Sequence, residues 1–79
     1  MHSLHNIGWF GVMILYRRIR DLREDRDLSQ ADIAKILHVS QPTYSRYESG
    51  ALDIPSSALI TLAKFCAVSV DYLLGLKDR

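Results

Sequence analysis

Two helix-start signals stand only eleven residues apart in this chain, and they dictate more of its fold than any other feature. Ser29-Gln30-Ala31-Asp32 matches the capping box: the serine hydroxyl can accept the backbone N–H three residues on, and Asp32 can reach back to the N–H of Ser29. Ser40 can cap the next helix, and Pro42 is tolerated in its first turn, where the missing N–H would have had no helical partner. Between the signals, Ile33, Ala34, Ile36 and Leu37 cover one side while Asp32 and Lys35 face away. That leaves His38-Val39-Ser40 as a three-residue connector. The pattern predicts two short helices joined by a tight turn, with Ala34 near the crossing, where a small side chain allows close approach.

The rest of the chain is also helical in pattern. Leu15, Ile19, Leu22 and Arg26 share one seam at i, i+4, i+7 and i+11, predicting a first helix over roughly 16–26 that ends at Asp27-Leu28 without a glycine. Ala51–Ile54 reads as a loop, and Pro55 marks the start of a fourth helix. Only Ser57, Thr61 and Lys64 interrupt the apolar residues of that helix, so it is expected to be central and buried nearly all round. Ser69 caps a short fifth helix over 70–74, and Gly75 closes it. No stretch alternates with period two for long enough to suggest a sheet. The expectation is a compact all-α, five-helix domain over 16–76, with an N-terminal extension, 1–15, and a tail, 77–79.

Within the extension, Ile7 to Tyr16 is an apolar run of ten residues, too short to span a bilayer. The arginines follow the run instead of preceding it, unlike a signal peptide. Three readings stay open: a segment packed on the domain or a second subunit, a partner-binding arm, or an extension upstream of a natural start at Met13.

A hydrophobic fraction of 48% excludes wholesale disorder, and 79 residues suffice for a single core. One cysteine cannot make an internal disulfide, so a reducing cytoplasm is the natural setting, and Cys66 in its apolar run reads as a buried, inert thiol. A net charge of +1 says little about partners, because a nearly neutral chain can still gather its basic groups on one face. There is no acid pair, no nucleophile with a plausible base, no metal-ligand spacing and no glycine-rich phosphate loop. An enzyme, a metal site and a cofactor are therefore not expected.

The third helix poses the functional question. Tyr44 and Tyr47 point within about 60° of one another at 100° per residue and must face the core. Gln41, Pro42, Ser45, Arg46 and Ser49 spread over an opposite arc of roughly 140°, with Thr43 and Glu48 at its borders. A merely solvated helix usually carries Lys and Glu for solubility and i,i+4 pairing. An amide, hydroxyls, a proline ring and one arginine are instead groups that read base edges in a DNA major groove. A neutral solvated face is the competing reading. Gln30, opening the second helix, could add its amide and a helix N-terminus to a phosphate.

LSQADIAKILHVSQPTYSRYESG, followed by ALITLAKFCAVSVDYLLG, resembles the lambda-repressor-like, Cro-type helix-turn-helix family, also called the XRE family of bacterial and phage regulators. The resemblance covers roughly residues 16–76 and implies a sequence-specific double-stranded DNA-binding transcriptional regulator. It carries over Gln30 as a backbone-contacting glutamine, and Ser40, Gln41, Pro42, Thr43, Ser45 and Arg46 as the DNA-facing set. Ser49 and Gly50 match a loop start whose backbone amides meet a phosphate. Arg23 and Glu48 match a salt bridge tying the first helix to the third. The sequence departs from the family at His38, where glycine is usual, and at Pro42, which restricts Gln41. His38 either tolerates a left-handed turn or adopts a different one.

One such domain reads only a few base pairs, so a homodimer on a pseudo-palindromic operator is expected, with repression by occupancy as its action; Tyr72, Leu73 and Leu76 either form its interface or simply close the core. A different class of function, a protein-binding module such as an antitoxin or antirepressor partner, is favoured by the apolar N-terminal segment as a possible protein contact. The polar face of the third helix argues for DNA.

Overall fold

A computed structural model describes residues 3–78, and the side chains of residues 12–78. Among the described residues there are five helices and no strand: α1 (Ser3–Asp25), α2 (Gln30–Leu37), α3 (Gln41–Ser49), α4 (Ser56–Cys66) and α5 (Val70–Leu73). No described helix is long and apolar enough to cross a membrane.

The core is the sum of the predicted seams. Leu15, Ile19 and Leu22 of α1 meet Ile33, Ala34 and Leu37 of α2, Tyr44 and Tyr47 of α3, five residues of α4 and Leu73 of α5. Ile19, Ile33, Leu62 and Leu73 are buried completely or nearly so, each such side chain contributing about 1.5–3 kcal/mol relative to exposure. Arg26 closes the α1 seam by donating to the carbonyls of Leu22 (3.2 Å) and Cys66 (2.8 Å), so its charge caps the C-terminal end of α4.

Three sequence expectations change. The first helix does not start near residue 16 but at Ser3, and Leu15, placed in the extension by sequence, is a buried core residue. The apolar run Ile7–Tyr16 thus lies on the same helix as the core seam. The side chains of residues 7–11 of that run, with Met1 and His2, lie outside the described residues, and so do the three readings of the extension.

The second change concerns α4. It packs chiefly on α2 and α5, and its outer face leaves Ile60 47% and Phe65 44% exposed, so it is not buried all round. The third concerns Leu73, expected at a dimer contact. It is 0% exposed within the domain and has no surface left for a partner.

Caps set the helix boundaries. Ser29 and Asp32 form the full capping box, at 3.0 and 2.8 Å, and Ser40 and Ser69 accept the N–H groups of Thr43 (3.2 Å) and Tyr72 (3.0 Å). Three helices end in left-handed residues that are not glycine: Asp27 (φ 54°), His38 (φ 58°) and Ala67 (φ 58°). Each makes the same pair of reverse bonds, as in Val39 N–H to the Ala34 carbonyl (2.9 Å) and Val68 N–H to the Ala63 carbonyl (3.0 Å). His38 is therefore a tolerated left-handed residue, and the turn keeps the usual geometry. Gly50 ends α3 at φ 83°, and a Cβ there would fall 2.4 Å from Cε2 of Tyr16. Glycine is required at that position both by the backbone and by the close approach of α1.

Candidate nucleic-acid interface

α2 and α3 form the helix-turn-helix unit, and the three-residue connector fixes how α3 presents its outer face. Tyr44 and Tyr47 anchor the inner face, 0% and 5% exposed, with rings edge-to-face at 6.4 Å. Gln41, Pro42, Arg46 and Ser49 are exposed, Thr43 and Ser45 half-buried, and all lie on the opposite arc. Ser40 is exposed at the head of the helix, its hydroxyl donating to Oγ1 of Thr43 at 2.8 Å, so capping already engages both hydroxyls.

The two glutamines that open the two helices are joined. Gln41 Nε2 donates to Gln30 Oε1 at 2.8 Å, and Gln30 Nε2 donates to Glu48 Oε1 at 3.0 Å. Their direction follows from chemistry. An ionised carboxylate can only accept, so Gln30 must turn its NH2 toward Glu48, which leaves its oxygen for the NH2 of Gln41. Gln41 then keeps its own oxygen and one N–H free. Those are the acceptor and donor that match adenine N6 and N7.

Glu48 is the hub. Its side chain is 5% exposed and its carboxylate accepts four hydrogen bonds: two from Arg23 (2.7 and 3.1 Å), one from the Tyr44 hydroxyl (2.7 Å) and one from Gln30. Arg23 also donates to the Leu28 carbonyl at 2.9 Å, tying together α1, the α1–α2 turn and α3. Burial alone would push the Glu48 carboxyl up, but the hydrogen bonds from Arg23, Tyr44 and Gln30 outweigh it and hold the carboxyl below its ordinary range. The bond to Glu48 keeps Arg23 above its usual value against the opposing effect of burial. Burial, followed by the bond to Glu48, pushes the Tyr44 phenol strongly up.

At the far end of α3 the backbone amides are already used. Gly50 N–H donates to the Tyr47 carbonyl (3.3 Å), Ala51 N–H to the Ser49 hydroxyl (3.4 Å) and Leu52 N–H to the Arg46 carbonyl (3.2 Å). A phosphate near Ser49 and Gly50 would have to compete for these amides or be met by side chains.

The expected dimer residues lie apart from this face. Tyr72 is half-buried beneath the Arg18 guanidinium, 4.2 Å from the ring centroid, and Arg18 also donates to the carbonyls of Tyr72 and Lys77. Leu76 is 64% exposed. Sequence reasoning overlooked the hydroxyl of Tyr44 as a partner of Glu48, although their i,i+4 spacing is visible in the sequence. It also overlooked Arg18, whose partners are more than fifty residues away.

A helix-turn-helix family model matches residues 19–73. Over 62 residues, 78% of this chain and 55% of the relative, the chain is 36% identical to YobD, an uncharacterized HTH-type transcriptional regulator of Bacillus subtilis (strain 168). It is 39% identical over 58 residues to RstR of Vibrio cholerae, a transcriptional repressor of the cryptic phage CTXphi, covering 73% of this chain and 52% of that protein. A second HTH-type transcriptional regulator of Bacillus subtilis (strain 168), the uncharacterized YqaE, is 32% identical over 56 residues, 71% of this chain and 48% of that one. The chain spans about half the length of these relatives.

Proposed function

The chain belongs to the XRE-type helix-turn-helix family of transcriptional regulators, and from that premise we propose that it represses transcription by binding a pseudo-palindromic operator as a homodimer. The observation that carries the reading is the Gln41 amide, exposed at the head of α3 and held by Gln30 with one acceptor and one donor left over. Around it, Arg46 can bridge O6 and N7 of a guanine, Pro42 and the Thr43 methyl can meet a thymine methyl, and Ser45 and Ser49 can serve base or phosphate. Gln30 retains a second N–H for a phosphate beside the α2 N-terminus. The repressor assignment is supported by the likeness to RstR. The cytoplasm is where such a protein would meet DNA.

Two domains related by a twofold axis would place two α3 helices in successive major grooves, about 34 Å apart. The surface offered for that axis is Leu76 with the rim of Tyr72, and Leu73 supports it from beneath without touching the partner.

Selection from a pool of randomised duplexes tests the reading. The expected product is an inverted repeat with half-site centres about ten base pairs apart. Enrichment of no sequence would contradict it and turn attention to a protein partner, such as the target of an antitoxin or antirepressor.

A further inference from the structure

Beside the outer face of α3, α1 places a basic side chain, Arg20, that the helix-turn-helix unit does not contain. An open cleft of about 240 Å³ runs between α1 and α3 and is lined by Arg20, Arg23, Gln30, Ser45, Glu48 and Ser49. Three of these, Gln30, Ser45 and Ser49, belong to the surface that faces DNA in the reading above, on which this inference rests.

The chemistry of the lining is one-sided. Arg23 and Glu48 neutralise each other, and the Glu48 carboxylate is already engaged by four hydrogen bonds. What remains is a set of donors: the Arg20 guanidinium, the second N–H of Gln30 and the Ser45 hydroxyl, whereas the Ser49 hydroxyl already donates to the Arg46 carbonyl at 3.2 Å. Arg20 is only loosely held. Its side chain is 63% exposed and its partner is Glu24, one helical turn on, at 3.1 Å and 51% exposed. Such a pair is weak and screened by salt. Glu24 is 51% exposed and so stays solvated if Arg20 turns away, with Arg23, shared with Glu48, still 3.8 Å from the same carboxylate oxygen. The loop amides of Gly50, Ala51 and Leu52 that could have met an anion are spent on the end of α3.

We propose that this cleft seats a backbone phosphate of the bound duplex, and that Arg20 exchanges Glu24 for it. Free protein and complex then differ in the partner of one arginine, and Glu24 is a built-in competitor for the DNA backbone. The site carries no base information. It sets affinity and register, while α3 sets sequence.

Equilibrium binding to the duplex that the wild-type protein enriches, with a scrambled duplex of equal length beside it, tests the proposal across a salt series. Each phosphate contact contributes about 0.9 to the slope of log K against log salt concentration. Arg20→Ala is expected to lower that slope by about one contact and to weaken both duplexes by the same factor, about tenfold at moderate salt. Arg20→Lys should restore the slope, and Glu24→Gln should tighten binding of both duplexes. Because Arg20 and Glu24 are exposed, the helical circular dichroism of all three variants should match wild type. An unchanged slope in Arg20→Ala, with wild type still preferring its duplex, overturns the phosphate site alone. Failure of wild type to prefer any duplex overturns the reading of α3, and this site with it.

Discussion

Glu48 shows how one side chain couples stability to recognition. It is the acceptor that Arg23, Tyr44 and Gln30 share, and through Gln30 it fixes which atoms Gln41 turns outward. Glu48→Ala leaves a largely buried guanidinium, a buried phenol and an amide without their acceptor, and is expected to destabilise the domain by about 3 kcal/mol in urea unfolding. The acid response follows from the same group. Its folded carboxyl sits below the ordinary glutamate value, so its contribution is complete above that value of 4.5 and is lost as pH falls through the folded one. The thermal midpoint should therefore drop as pH falls below about 4.5, and Glu48→Gln should flatten that drop. An equally steep fall in the variant would assign the acid sensitivity elsewhere, for example to Asp32, whose carboxyl the Ser29 backbone and side-chain hydrogen bonds also lower.

At the scale of elements, boundaries are set by caps, and caps are local. Ser29 with Asp32, Ser40, Ser69, Gly50 and Gly75 could be read from sequence because a cap needs only its own residue and the next three or four. The left-handed end at Ala67 could not, since alanine does not advertise that conformation; Asp27 gives only the weak signal that aspartate tolerates it, and His38 stood out only against the family pattern. Alanine gains nothing in return for the strain, whereas Asp and His are better tolerated there. Ala67→Gly should therefore raise stability by about 1 kcal/mol, and His38→Gly by less, measured by urea unfolding. The start of α1 was illegible for a related reason: Ser3–Asp25 has no acidic first turn, and the apolar run does not announce where the helix begins. Sequence reasoning also could not anticipate the bond between Gln30 and Gln41. They stand eleven residues apart on different helices, and only the packing of α2 on α3 brings their amides to 2.8 Å. The Arg23–Glu48 pair was reached by resemblance, not by spacing.

For the whole molecule, sequence gave the class and the inward faces but not which apolar residues stay outside. Ile60, Phe65 and Leu76 have the same chemistry as their buried neighbours, and only the arrangement of α2, α4 and α5 separates them. Leu76 is the residue on which the proposed dimer most depends. Leu76→Asp should reduce the sedimenting species from dimer to monomer with little change in unfolding midpoint, since Leu76 supports no core contact; a persistent dimer would move the interface to another face.

The central claim is that the amide of Gln41, aimed by Gln30, reads a base. Its most direct test is equilibrium binding of wild type and Gln41→Ala to the enriched duplex and to each of its single base-pair substitutions. The account predicts that wild type loses about 1–3 kcal/mol at one adenine-containing pair per half-site, and that Gln41→Ala no longer distinguishes that pair while keeping its other preferences. A variant that weakens every duplex equally, or none, would contradict it.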